Sequence, residues 1–194
     1  MRWLKWMLWG MMLGMLAGCG YNELQRLDEE VKAKWSEVVN QYQRRADLVP
    51  NLVETVKGYA GHEAQVLEAL TQARARVGQV SVSSELLEDA QAMRQFQQAQ
   101  GELSGVLSRL LVVAENYPEL KANVSFENLM AQLDGTENRI AVARNRYIEA
   151  VRDYNVKVRS FPSNLTAKLF GLQEKVNFQV ENESALATSP SVQF

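Results

Sequence analysis

Residues 44–63 read RRADLVPNLVETVKGYAGHE and place a basic pair, a proline and two glycines inside a long helical pattern. Pro50 has no N–H, and its ring would clash with the carbonyl of Ala46 in a continuous helix. Val49, which precedes the proline, is biased away from helical angles. The stretch therefore predicts that a first helix ends or kinks between Ala46 and Val49. Asp47 is then placed to cap a new helix with Pro50 in its first turn.

Apolar residues at seven-residue spacing predict long amphipathic helices on both sides of this stretch. The first helix carries two such rows, which are Leu24, Val31 and Val38, and Trp35, Tyr42 and Val49. A later helix, capped by Ser83 or Ser84, carries Phe96, Leu103, Leu110 and Tyr117 and is broken by Pro118. The last long helix starts at Ser125 and ends at Pro162, and its row is Phe126, Leu133, Ile140, Tyr147, Tyr154 and Phe161.

Four long helical regions with short connections predict an all-α fold, specifically an antiparallel four-helix bundle with crossings near 20°. The alternative is a coiled-coil dimer. Prolines and loops interrupt the heptads, and the apolar faces are wider than a two-row seam, so the intrachain bundle is favoured. The bundle domain is predicted to span residues 19–178, followed by a polar C-terminal tail at 179–194. The pattern leaves the oligomeric state open.

The first residues have the form of an export signal. Arg2 and Lys5 form a basic start, residues 7–17 are uncharged and apolar, and Leu16-Ala17-Gly18-Cys19 follows. This resembles a bacterial lipoprotein signal, in which residues 1–18 are cleaved and Cys19 becomes the lipidated first residue. The alternative of an uncleaved membrane-spanning helix is disfavoured, because the apolar run is shorter than the roughly 20 residues needed. A second alternative is a buried cysteine without a role.

A lipidated Cys19 would anchor the chain to a membrane, since more than one acyl chain gives stable anchoring. The predicted location is the bacterial cell envelope, on a membrane surface outside the cytoplasm. In a Gram-negative host the inner leaflet of the outer membrane is predicted, because Gly20 rather than an aspartate follows the cysteine.

The composition narrows the possible chemistry. The net charge is −2 and no basic face stands out, so no nucleic-acid partner is expected. Cys19 and His62 are the only residues of their types, which argues against a disulfide, a cysteine-rich metal site and most histidine clusters. His62-Glu63 lacks the second histidine of a metalloprotease, because Val66 stands one turn later. The sequence therefore predicts no catalytic residues, no metal and no cofactor.

Two groups of polar residues are candidate sites. The planar guanidinium group of arginine can bind phosphate or carboxylate ligands through two hydrogen bonds. A basic pair near a helix C-terminus also offsets the helix dipole, which is a purely structural role. The candidate partner-binding residues are Arg44, Arg45, Asp47 and Asn51. A second group would form a structural polar network that fixes helix register if it is buried, or else a ligand site. Its members are Arg74, Glu115, Glu137, Asn138 and Arg144.

Several segments in order carry a family likeness. They are Tyr21-Asn22, Gln43–Val53, Val56–Tyr59 with His62-Glu63, Glu115–Ala122, Glu137–Ile140 with Ala143-Arg144 and Tyr147, Phe161-Pro162 and the closing Pro-x-Val-x-Phe. Together they resemble the LemA family over about Tyr21 to Phe178. The resemblance implies an N-terminally anchored bundle of long helices outside the cytoplasm, with relatives in magnetosome membranes and no accepted enzymatic activity. The lipoprotein-type anchor and Ile148, where many members have asparagine, depart from the family pattern.

Taken together, these features predict a non-enzymatic adaptor or assembly factor that binds an envelope protein. One alternative is an envelope hydrolase that uses Glu63, Glu115 or Glu137 with His62, which would need a concave pocket. Another is a bundle that binds a lipid or amphiphile between its helices, which would need an apolar cavity.

Overall fold

The computed structural model describes the backbone of residues 2–59, 63–80 and 82–178, and the side chains in these ranges from residue 20 onward except that of Ser84. All regular structure in these ranges is helical, so the predicted all-α class is confirmed. The elements are α1 (Arg2–Lys57), α2 (Ala64–Gln79), a 3₁₀ helix (Ser84–Glu88), α3 (Ala90–Ala114), α4 (Pro118–Lys121), α5 (Val124–Arg159) and α6 (Ser163–Leu169).

The core consists of two apolar clusters arranged along α1 and α5. Trp35 on α1 shares the first cluster with Tyr154 near the end of α5. Leu52, later on α1, shares the second cluster with Phe126 at the start of α5. Since the early part of each helix meets the late part of the other, α1 and α5 run antiparallel. Helix α3 extends through both clusters, and α2 packs against α1 and α3.

Of the two outcomes predicted between Ala46 and Val49, an end or a kink of the first helix, the structure corrects the end. Helix α1 continues through Pro50 to Lys57, and Asp47 lies inside it rather than at an N-cap. Pro50 leaves the carbonyl oxygen of Ala46 without its helical donor. Arg74 on α2 replaces that donor, because its Nε donates to the Ala46 oxygen at 3.0 Å. The chain turns instead after Lys57, in the glycine-containing part of the same stretch.

Other helix ends also differ from the prediction, and α3 already ends at Ala114, before Tyr117 and Pro118. Helix α3 is capped by Asp89, whose side chain accepts from the backbone N–H groups of residues 91 and 92, and Ser83 instead precedes the 3₁₀ helix. Helix α5 starts one residue before Ser125, with the Asn123 side chain as its cap. It ends at Arg159, before the proline that was expected to end it.

Some predictions fall on residues that the structure does not describe. These are the side chains of the signal segment and Cys19, the histidine of the His62-Glu63 pair, and the tail at 179–194. Within the described ranges, no helix has an apolar stretch long enough to span a bilayer.

Candidate functional site

Arg45 lies at the centre of a buried polar cluster that joins three helices. Its side chain projects from α1 and is almost fully buried, with a relative exposure of 2%. Nη1 donates to Ser104 Oγ at 2.7 Å and to Glu137 Oε2 at 3.0 Å. Nη2 donates to the carbonyl oxygen and to the side-chain Oε1 of Gln100, at 3.1 and 2.7 Å. The guanidinium thus ties α1 to α3 and to α5.

The two sides of this Arg45 cluster differ in their access to water. Gln100 is buried, whereas the Glu137 side chain is 61% exposed. The guanidinium carbon also lies 5.0 Å from the ring centroid of Tyr42. Burial raises the pKa of the Tyr42 hydroxyl, and the nearby arginines only partly offset this. Arg45 is therefore placed to hold helices together, and a partner could reach only the Glu137 side of the cluster.

An open groove of about 270 Å³ begins at the Arg45 cluster. Its walls are largely apolar and include Leu107, Leu111, Met130 and Leu133. Ligand pockets for small molecules are usually about 300–1,000 Å³. The groove has the apolar lining that an amphiphile would need, but its volume is just below that range.

The other three candidate partner-binding residues lie at the surface. Arg44, Asp47 and Asn51 are exposed on α1, and with Asn40 they stand at helical spacings that share one face. Asp47 accepts a hydrogen bond from the Gln43 side chain at 2.8 Å. The structure therefore separates the basic pair, since Arg44 faces water and Arg45 faces the core.

A second and larger groove lies next to this face, between α1 and α5. It has a volume of about 450 Å³ and is lined by Glu37, Asn40, Gln41, Asn138, Arg139, Val142, Ala143 and Arg146. Arg139 Nε donates to Gln41 Oε1 at 3.1 Å, and Arg146 lies 3.5 Å from Glu37. Because the lining carries both signs of charge beside Val142 and Ala143, the groove is suited to a protein surface that presents charged and apolar groups together.

The residues predicted to form one polar network make separate contacts. Arg74 binds the Ala46 carbonyl, and Glu137 binds Arg45. The guanidinium of Arg144 lies over the Phe178 ring at 4.6 Å from its centroid. Asn138 lines the α1–α5 groove, and Glu115 forms an exposed ion pair with Lys121 at 2.8 Å.

The carboxylates considered for a hydrolase occupy two regions. Glu63 accepts a hydrogen bond from the Tyr117 hydroxyl at 3.2 Å, at the end of the molecule where α2 begins and α3 has ended. Burial and this carboxylate raise the pKa of the Tyr117 hydroxyl. Glu115 belongs to the same end, because it is two residues before Tyr117. Glu137 belongs to the second region, on α5, where it pairs with Arg45. In the described ranges no group of His, Cys, Asp and Glu side chains has an arrangement that could hold a metal ion.

Residues 172–178 form a C-terminal strap that packs along α5 in an irregular conformation and that no sequence pattern predicted. Asn155 binds both backbone groups of Lys175, with N–O distances of 2.8 Å for each bond. The Tyr147 hydroxyl donates to the carbonyl of Val176 at 2.6 Å, and the Val176 N–H donates to the carbonyl of Leu87 at 2.7 Å. A strap held by such long-range bonds has no periodic signal. In the sequence, the only indication of the strap was Asn155, a polar residue beside the apolar row of α5.

Lys175 also brings a buried charge cluster to the strap. Its Nζ lies 3.0 Å from Asp28 Oδ1 and binds Glu88, and Asp28 also pairs with Lys32 at 2.7 Å. Burial alone would lower the pKa of Lys175, but the hydrogen bonds to Glu88 and Asp28 outweigh it and raise that pKa. Burial would likewise raise the pKa of Asp28, but Lys32 and Lys175 hold it below its usual value. The cluster is therefore charged around neutral pH and ties the strap to α1.

Comparison with known proteins identifies the family. The LemA family model matches residues 34–194, which is most of the chain. This chain belongs to the LemA family. The match includes the Arg45 cluster, the α1–α5 groove and the strap, whereas Asp28 and Lys32 of the charge cluster lie before its first residue.

Relatives of this LemA-family chain include magnetosome proteins and a protein named LemA. Magnetosome protein MamQ 2 of Paramagnetospirillum magneticum is 27% identical over 175 residues, covering 82% of this chain and 64% of the relative. Magnetosome protein MamQ of Magnetospirillum gryphiswaldense is 25% identical, covering 79% and 62% respectively. Protein LemA of Metamycoplasma hominis is 23% identical, covering 81% and 68%. The chain spans just under two thirds of the length of the magnetosome relatives.

Proposed function

We propose that this LemA-family chain is a lipid-anchored, antiparallel four-helix bundle of the bacterial cell envelope that binds another envelope protein and has no catalytic activity of its own. The polar surface formed by the exposed face of α1 and the α1–α5 groove is the observation that supports this role most directly. It combines exposed residues of both charges with a concave shape, and such surfaces are used for specific protein recognition.

The anchor would be Cys19, after removal of residues 1–18. The apolar run at 7–17 and the Leu-Ala-Gly-Cys box support this proposal. The protein would face away from the cytoplasm, and in a Gram-negative host it would lie on the inner leaflet of the outer membrane. Two acyl chains would hold it stably, since each buried CH₂ contributes about 0.8 kcal/mol. Similarity to magnetosome proteins also supports a membrane setting.

Mass spectrometry of the N-terminal peptide tests the anchor. We expect a peptide that begins at Cys19 and carries the mass of a diacylglyceryl group. A peptide that retains residues 1–18, or one with an unmodified Cys19, would contradict the lipoprotein proposal. A Cys19→Ser variant is the control, because it removes the thiol that receives the lipid and changes little else.

Site-specific photocrosslinking in intact cells tests the partner surface. A photoreactive amino acid at Arg44 is compared with one at Arg94, which is exposed on α3. We expect a discrete crosslinked product from position 44 that Asp47→Lys abolishes, and no such product from position 94. The same products from both positions would show that the surface is not specific. A product at position 44 that is unaffected by Asp47→Lys would show that Asp47 is not part of the contact.

A further inference from the structure

The short helix α6 buries its small residues and exposes its large ones. Ser163 and Ala167 are buried, with exposures of 5% and 2%. Leu165 and Leu169, one turn apart on the opposite side, are 59% and 79% exposed. A helix on a water-facing surface normally has the reverse arrangement, with its apolar stripe against the core. The sequence of α6 therefore indicates that its outer face meets something apolar.

Aromatic side chains on either side of α6 extend this face. Phe161 is 79% exposed and Phe170 is 55% exposed. Among the described residues, Phe161 and Leu169 are the most exposed large apolar side chains. Lys168 is exposed beside them. We call Phe161, Leu165, Leu169 and Phe170 the α6 patch. Contiguous exposed apolar groups of this kind mark contact sites for proteins or membranes.

The position of the α6 patch favours a membrane. Helix α6 packs against the part of α1 that directly follows Cys19. A Cβ atom placed on Gly20 would lie 3.6 Å from Thr166 Oγ1, and the rings of Tyr21 and Phe170 have centroids 4.5 Å apart. The patch is thus fixed within one or two residues of the proposed lipid attachment point. An acyl chain at Cys19 would hold this end of the molecule at the bilayer surface.

The chemistry of the patch also fits a lipid interface. Aromatic and leucine side chains enter the boundary between headgroups and acyl chains, while lysines beside them interact with anionic headgroups. We propose that the α6 patch inserts into the lipid interface beside the anchor and so fixes the orientation of the helices relative to the membrane. This inference rests on the proposed lipid anchor. It adds a second contact between the protein and the bilayer.

Spin-label accessibility in the full-length lipidated protein tests this contact. Lipidation blocks the only native thiol, so Leu169→Cys provides a single site for a nitroxide label. Val112→Cys is the matched control, because Val112 is 68% exposed and lies near the end of α3, in the part of the molecule away from Gly20. Both proteins are reconstituted into vesicles of phosphatidylethanolamine and phosphatidylglycerol.

We expect the label at position 169 to lose its collisions with a water-soluble nickel reagent on reconstitution and to retain collisions with oxygen. The label at position 112 should remain fully accessible to the nickel reagent. With the label moved to Leu165→Cys, Phe161→Glu together with Leu169→Glu should restore access to the nickel reagent while the protein stays on the vesicles. These glutamates replace exposed side chains, so unchanged helical circular dichroism is expected.

Other outcomes overturn the proposal. If position 169 is as accessible as position 112 while the protein cosediments with vesicles, the anchor stands and the α6 contact is wrong. If both positions are shielded equally, the protein lies flat and the contact is not specific to α6. If a free thiol is found at Cys19 and the protein stays in solution, the anchor proposal fails and this inference fails with it.

Discussion

Replacement of Arg45 tests whether the buried cluster is a structural joint. In Arg45→Ala, Ser104 and the Gln100 carbonyl keep each other as partners, because the Ser104 hydroxyl donates to that carbonyl at 3.1 Å. Glu137 is largely exposed and returns to water. The main cost is the lost hydrogen bond to the buried Oε1 of Gln100, which no longer has the guanidinium as its donor. An orphaned buried acceptor costs about 1–3 kcal/mol.

Loss of the cation–π contact with Tyr42 adds about 1 kcal/mol, so Arg45→Ala should lower the free energy of unfolding by about 2–4 kcal/mol. Glu137→Gln should cost only about 0–1 kcal/mol, because its ion pair is exposed on one side. The assay is urea unfolding of the full chain in detergent micelles, followed by circular dichroism and analysed by linear extrapolation.

A double variant separates the orphaned acceptor from lost packing. Arg45→Met keeps the alkyl stem but leaves Gln100 unpaired, whereas Arg45→Met with Gln100→Leu removes both partners. When both partners become apolar, the net cost of losing a hydrogen bond can approach zero. We therefore expect the double variant to be more stable than Arg45→Met. If Glu137→Gln costs as much as Arg45→Ala, or if the second substitution gives no recovery, this account of the cluster is wrong.

Three further predictions concern α1 and the strap. Arg74→Met should lower the free energy of unfolding by about 1–3 kcal/mol, because the buried Ala46 carbonyl loses its donor, and urea unfolding should show no such loss for exposed Arg94→Met. Asn155→Ala should free the strap and speed hydrogen exchange at residues 175–178 more than in α1, and uniform acceleration would contradict a local role. The folded structure lowers the pKa of the Asp28 carboxyl. Its contribution to stability is therefore present above the pKa that Asp28 has in the unfolded chain, and is lost as the pH falls through its pKa in the folded chain. Asp28→Asn should remove that part of the acid dependence of unfolding, and an unchanged pH profile would refute the assignment.

The apolar rows predicted most of the core correctly. Val31, Val38, Leu103 and Ile140 are all at most 2% exposed, because a seven-residue repeat keeps such residues on one side of a helix. Phe161 continues the row of Ile140 but is exposed, since α5 has already ended at Arg159. A periodic row identifies a face only as far as the helix continues.

Pro50 and Arg45 show where local reasoning failed. A rule about proline and its own helix cannot include Arg74, which lies on α2 and supplies the missing donor. Arg44 and Arg45 were equal candidates for partner binding, although they project in different directions from α1. Their separation depends on where α3 and α5 pack. The strap depends on pairs such as Asn155 with Lys175, which no local pattern connects.

The unbroken course of α1 sets a distance between the proposed lipid anchor and the proposed partner surface. From Gly20 to Arg44 the helix rises about 36 Å, at 1.5 Å per residue. A protein bound at Arg44 and Asp47 would be held that far along the helix axis from the proposed anchor, unlike a protein tethered by a flexible linker. A partner would need to present its binding segment at this distance from the anchor.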